Sequence, residues 1–189
     1  MNISYAKIIF ILRAWLPFAS VATLMCGTVY IAVQQNFRQS ANDPQIQIAE
    51  NAARVISEGV DPREIPDPEI IDIATSISVF IALYDDHLHL IAADGTLHGN
   101  PLALPKGVFD YAKAHGQHRV TWQPEPGVRS AVVIVPYRHN AQSGFAVAGR
   151  SLRETERRIG ALTVHLALAW LGSLLVTLVL IAFLEFTKR

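Results

Sequence analysis

The sequence predicts an α+β protein: an antiparallel sheet of about five strands with helices packed on it, flanked by two transmembrane helices. Three observations lead there. Two long uncharged apolar runs stand near the two ends of the 189-residue chain, and each is long enough to cross a bilayer. Between them lie five short apolar, β-branched segments separated by turn-forming residues. Amphipathic stretches with helical spacing are interleaved with these strands.

The first apolar run, residues 14–33, reads "AWLPFASVATLMCGTVYIAV". At about 1.5 Å per residue it covers roughly 30 Å, the thickness of a bilayer's hydrocarbon core. A cleaved signal peptide has an apolar core of only about 7–15 residues and a small-residue cleavage site. "VYIAVQQN" offers no such site, and Met25 before Cys26 is too bulky for lipoprotein processing, so the run is a retained anchor. Cys26 is the only cysteine, which excludes an intrachain disulfide and fits a small apolar packing residue. The second run, residues 161–184, is also uncharged.

Lys7 and Arg13 precede the first run, and Lys188 and Arg189 follow the second. By the positive-inside tendency both termini are cytoplasmic and the middle lies outside. Arg150, Arg153, Arg157 and Arg158 oppose this, but large domains translocate largely regardless of charge. Glu154 and Glu156 sit among them, with Glu154 and Arg158 in the favourable i, i+4 order. The expected layout is a cytoplasmic segment 1–13, a span 14–33 and an extracytoplasmic domain 34–150. A juxtamembrane helix 151–160, a second span 161–184 and a cytoplasmic tail 185–189 complete it.

In the domain, "DPQIQIAENAARVISEG" places Ile48, Ala49, Ala52, Val55 and Ile56 on one helical face, with Gly59 as the stop. "VDPREIPDP" is too proline-rich to continue a helix, and a short helix over residues 69–75 follows. "ISVFIALY" is a strand, "DDH" a turn, "LHLIAA" a second strand, and Asp94-Gly95 the next turn. "PKGVFDYAKAHG" is a helix with Val108, Tyr111 and Ala112 buried. "HRVTW", "VRSAVVIVPYR" and "GFAVAGR" supply three more strands, parted by "QPEPG" and by a loop at Asn140.

These residues carry a resemblance. The leading apolar helix, "SVFIALYDDHLHLIAADGTLHGNP", "VTWQPEPGVRSAVVIVPY" and "GFAVAGRSLRETERRIGAL" resemble the extracytoplasmic PAS-like input regions of bacterial membrane sensors, including sensor histidine kinases. The likeness covers nearly the whole chain, and "TWQPEPGVRSA" and "AGRSLRETE" are its most specific parts. It implies a PAS-like sheet, a multi-pass place in a bacterial inner membrane, a two-component setting and a signal passed to a separate cytoplasmic kinase or regulator. No phosphoacceptor-histidine segment or ATP-binding lobe occurs in these residues, so only input and transmission carry over. The alternative is a non-signalling binding or assembly subunit that docks another envelope protein.

"GFAVAGRSLRETERRIGALTVHLALAW" passes from strand to helix to apolar run with no flexible linker. Such a joint converts a shift in the sheet into movement of the helix. Leu152, Ile159 and Leu166 are spaced by seven, with Thr155, Leu162 and Ala169 as companions, a short heptad seam. It serves either a homodimer through the second helix or a helix resting on its own domain. Both spans also carry small residues at i, i+4, i+8: Ala19, Thr23 and Gly27, then Ala169, Ser173 and Thr177. Such stripes suit helix–helix contact in lipid.

No catalytic constellation is visible, and no enzyme is expected. "GRSLR" lacks the closing glycine of a nucleophile elbow. Ser151 is more simply a helix N-cap with Glu154 completing a capping box. His87 and His89 point to one side of a strand, while His98, His115, His118 and His139 are spread through loops, so no metal site and no cofactor are expected. Tyr84, Trp122, Arg129 and Tyr137 combine aromatic walls with a cation on or beside strands, a mix suited to a small anionic ligand. The ordinary reading is core for the aromatics and solvent for Arg129. Zero formal charge and the absence of a basic surface exclude a nucleic-acid partner.

Overall fold

The two apolar runs form the longest helices of the computed structural model, which describes residues 5–40, 43–140 and 142–187. In chain order, α1 (Tyr5–Ser40) is followed by α2 (Asp43–Ser57) and a 3-10 turn (Pro62–Glu64). Then come β1 (Ile71–Asp72), β2 (Val79–Asp85), β3 (Leu90–Ala93), β4 (Gly95–Leu97) and β5 (Asn100–Pro101). α3 (Lys106–His115), β6 (His118–Glu125), β7 (Val128–His139), β8 (Gln142–Ser151) and α4 (Arg153–Thr187) complete the chain. Both long helices are apolar and long enough to cross a membrane. Lys188 and Arg189 lie outside the described residues.

Chain contacts divide the protein into two units, residues 38–156 and the helix pair formed by residues 5–37 and 157–187. In the first, β3-β2-β8-β7-β6 make a five-stranded sheet, and β1-β4-β5 make a small second sheet. All pairings of the large sheet are antiparallel. The architecture is therefore α+β, as the sequence predicts.

Alternation along the strands explains why both faces of the sheet are covered. Phe80, Ala82, Tyr84, Val132, Ile134, Phe145 and Val147 pack with Phe109 and Ala112 of α3 and with Ile73 and Leu102. On the other face Leu83, Tyr137 and Ala146 pack under Ala52, Ala53 and Ile56 of α2, and Val133 and Ala148 under Ala49. The alanines of α2 let its backbone approach the sheet closely.

Several elements differ from expectation. Residues 69–75 form no helix. Ile71 and Ile73 instead bond to Asp94 O and Thr96 O, and the Asp72 carboxylate accepts from Ala74 N at 2.9 Å, closing a turn. The second strand starts at Leu90, not Leu88, because Leu88 takes a positive φ of 66°. His87 and His89 therefore do not lie on a strand. Phe109 takes the buried place in α3 expected of Tyr111, which is 48% exposed.

Asp94-Gly95 is not an open turn. It is a bend joining β3 to β4, and Asp94 is only 5% exposed. Its carboxylate accepts from Ile81 N at 2.6 Å and from Asp67 N at 3.4 Å, while its carbonyl accepts from Ile71 N at 2.6 Å. The residue thus staples β2 to the segment before β1. Burial raises its pKa above the usual carboxylate value. The protonated form is favoured in the fold, so the associated stability is full below about pH 3.8 and is lost as pH rises through the raised value. Asp94→Ala leaves Ile81 N buried without its acceptor, and about 1–3 kcal/mol of stability is expected to be lost. Asp94→Asn keeps one oxygen for Ile81 and should flatten that acid-side pH dependence, read by thermal unfolding between pH 4 and 7.

Candidate functional site

The passage from β8 to α4 is held by main-chain and side-chain bonds on several sides. β8 stays in register with β7 through its last residue, Ser151 opposite Ser130, and only Leu152 separates it from α4. Leu152 N donates to Arg129 O at 2.8 Å, and Glu156 N donates to Leu152 O at 2.8 Å as the helix begins. Ser151 Oγ accepts from Arg153 N at 3.3 Å. Ser151 itself remains in the strand, one position earlier than a capping box requires. Three arginines fasten the corner. Arg129 pairs with Glu156, Arg150 Nε donates to Ile77 O at 2.9 Å, and Arg153 Nη2 donates to Ala74 O at 2.7 Å.

The four expected ligand residues do not meet around one cavity. Tyr84 and Trp122 are buried in the core on the α3 side. Tyr84 donates its hydroxyl to Leu102 O at 2.8 Å, its ring stands edge-on to Phe109, and burial pushes its pKa upward. Tyr137 lies on the α2 side and donates to Tyr84 O at 3.2 Å. Burial raises its pKa, and Asp85 and Asp86 add to the rise. Arg129 belongs to the corner described above.

Tyr137 borders two open clefts and Trp122 a third. One of ≈ 610 Å³ is bounded by Asp61, Arg63, Asp85, Asp86, Tyr137 and His139. A second, of ≈ 410 Å³, includes Lys113, Arg138 and Ser143. A third, of ≈ 540 Å³, runs between His98, Asn100 and Leu102 on one side and Trp122 to Glu125 on the other. In the first cleft, burial alone would raise the Asp85 pKa, but bonds from the His89 amide and ring, with other local contacts, hold it low.

The histidines stay apart as well. His115 closes α3, and His118 and His139 sit in β6 and β7 rather than in loops. His98 bonds Glu125 at 2.8 Å and stands 3.8 Å from Asp72. The Glu125 bond and charge, then Asp72, raise its pKa. Among the described residues no three His, Cys, Asp or Glu side chains are grouped to hold a metal ion.

Leu152 and Thr155, in the sheet unit, are partly covered; in the helix pair Ile159, Leu162 and Leu166 are partly covered as well, and the seam then passes to Trp170 while Ala169 is exposed. The two helices meet through indoles rather than through close backbone approach. Trp15 Nε1 donates to Leu174 O at 3.0 Å and to Thr177 Oγ1 at 3.1 Å. Trp170 Nε1 donates to Thr23 Oγ1 at 3.0 Å. Ala19 is buried and Ser173 half-buried, whereas Gly27 has open space where a Cβ would stand.

No family model matches the chain, and no curated protein does.

Sequence reasoning therefore missed Trp15, Trp170, Asp94 and Glu156. A tryptophan inside an apolar run, with an N–H that needs an acceptor, is a signal for the first two. Nothing in one sequence pairs Arg129 with a glutamate 27 positions away.

Proposed function

We propose that the chain is a membrane-anchored extracytoplasmic input module. It receives a ligand or an envelope signal in its sheet domain and passes it through its second transmembrane helix to a separate cytoplasmic partner. The observation that carries this reading is the corner at Leu152, where a strand bonded on both sides in the sheet becomes a 35-residue helix after one residue. A shift of the strand has no slack in which to dissipate. A PAS-like domain is supported by the strand order. The first strand of the large sheet is flanked by the second and the last, and the β6-β7-β8 meander returns to it. The open clefts offer room for a small ligand.

A docking subunit is favoured by one feature, the exposed Tyr111 ring stacked on His115 at 4.0 Å and facing His118 at 4.3 Å. Photo-crosslinking residues at Phe186 and at Tyr111, in cells, separate the two readings. Capture of a kinase or regulator from Phe186 is expected for an input module. Capture of envelope proteins from Tyr111, with nothing from Phe186, would overturn it in favour of docking. Orientation is read in the same cells. A membrane-impermeant thiol reagent should label Lys113→Cys without permeabilisation, and labelling only after permeabilisation would reverse the topology.

A further inference from the structure

The contacts that join α1 and α4 repeat one helical turn away. Each threonine that accepts an indole is oriented by its own helix: Thr23 Oγ1 donates to Ala19 O at 2.8 Å, and Thr177 Oγ1 to Ser173 O at 2.8 Å. A hydroxyl has one proton and two lone pairs, so donation into the helix leaves a lone pair for the indole N–H. Ser20 and Ser173 are built the same way. Ser20 Oγ donates to Leu16 O at 2.9 Å, and Ser173 Oγ to Trp170 O at 2.8 Å. Ser20 stands three residues before Thr23, and Ser173 four before Thr177. A third contact follows the rule. Lys7 Nζ lies 5.6 Å from the centre of the Phe186 ring, and three residues before Phe186 stands Phe183, another exposed ring.

We propose that the α1–α4 pair has a second stable register, reached when α4 slides about one turn toward its own C-terminus. There Trp170 donates to Ser20, Trp15 to Ser173, and Lys7 lies over Phe183. The pair is antiparallel, since Trp15 meets Thr177 and Thr23 meets Trp170. Moving Trp170 from Thr23 to Ser20 and moving Ser173 into the place of Thr177 are therefore displacements in the same direction. They span three and four residues, about 4.5 and 6 Å, on either side of one turn of about 5.4 Å. In hydrocarbon an indole N–H without an acceptor is strongly disfavoured, so intermediate positions are unfavourable and the two ends are wells. One-turn ratchets of this kind are an established mode of switching between packed helices. Serine in one register and threonine in the other makes the two unequal, with the observed one occupied here. The inference concerns the helix pair alone and stands whether or not a signal drives it.

The native Cys26 reports the register. Cys26, Leu162 and Leu166 all occupy partly covered positions. The observed register sets Cys26 level with Leu166, and the shifted one sets it level with Leu162. The full chain in native membranes carries either Leu166→Cys or Leu162→Cys and is treated with a short bis-maleimide. Leu166→Cys should link the better of the two. Adding Thr23→Ala with Thr177→Ala should move the ratio toward Leu162→Cys by about threefold, as expected from the loss of one membrane hydrogen bond of typical strength at Trp170, since Trp15 keeps Leu174 O. Adding Ser20→Ala with Ser173→Ala instead should hold it at Leu166→Cys. Trp15→Phe with Trp170→Phe should erase the dependence on the hydroxyls. A ratio indifferent to the threonines overturns the second register. So does an equal fall of both yields, which would mean that the helices separate instead of sliding.

Discussion

Gly144→Ala is expected to destabilise the sheet domain by about 2–4 kcal/mol. Overpacking alone typically accounts for about 1–3 kcal/mol, and lost hydrogen bonds add about 1 kcal/mol each. A Cβ at this position would lie 2.2 Å from Tyr84 O and 2.5 Å from the Tyr137 hydroxyl. The first atom belongs to the main chain of β2, whose residue Tyr84 is paired with Phe145 beside the glycine. It cannot retreat without opening the central ladder. The second is the hydroxyl that bridges β7 to β2 directly over Gly144. The added methyl therefore strains a ladder and breaks a buried bond together. Domains of this size have about 5–15 kcal/mol in total, so a fall in Tm of roughly 10–20 °C is expected. Thermal unfolding of the full chain in detergent, followed by near-ultraviolet circular dichroism, measures it. Tyr137→Phe in the same chain should restore only part of the loss, because the carbonyl contact remains. An unchanged Tm would mean that β2 and β8 do not approach as closely as described.

Gly144 also shows what a single sequence conceals. The strand "GFAVAGR" is legible from its apolar, β-branched run, and so is α2 from the spacing of Ala49, Ala52 and Ile56. Five strands and their antiparallel sense follow from local pattern and short turns. Register does not. Whether Tyr84 and Tyr137 face one pocket depends on their pairing with Phe145 and Gly144, and a slip of one residue reverses every side chain. The structure puts the two rings on opposite faces. Asp94-Gly95 misleads for a related reason. An aspartate before a glycine reads as a solvent turn, yet this one is buried because its carboxylate satisfies Ile81 N across the sheet. The small sheet was invisible beforehand, since β1, β4 and β5 have only two or three residues each and are held by partners distant in sequence. Of the stripes of small residues, Thr23 and Thr177 accept indole hydrogen bonds across the helix pair. The stripes' working members are the hydroxyls rather than Gly27.

Four glycines inserted between Leu152 and Arg153 should release the first turn of α4 while the sheet keeps its Tm. The corner holds the helix by Leu152 N to Arg129 O, by Arg153 N to Ser151 Oγ, and by the Arg129–Glu156 pair. These are unequal. The ion pair is nearly half exposed at both ends, 46% and 44%, and such pairs contribute up to about 1 kcal/mol. Arg129→Ala should therefore raise amide exchange at Leu152 and Glu156 by less than about fivefold. The insertion removes the main-chain continuity itself. Glu156 N then loses Leu152 O, and Arg153 N loses the Ser151 hydroxyl. Exchange at residues 153–156 is expected to rise about tenfold or more, which corresponds to at least one lost bond of about 1.4 kcal/mol. Hydrogen exchange on the full chain reads both variants. If the first turn of α4 stays equally protected with the insertion, the helix is stable without the strand. A shift of β8 then has no mechanical route into it, and transmission through the second helix loses its physical basis.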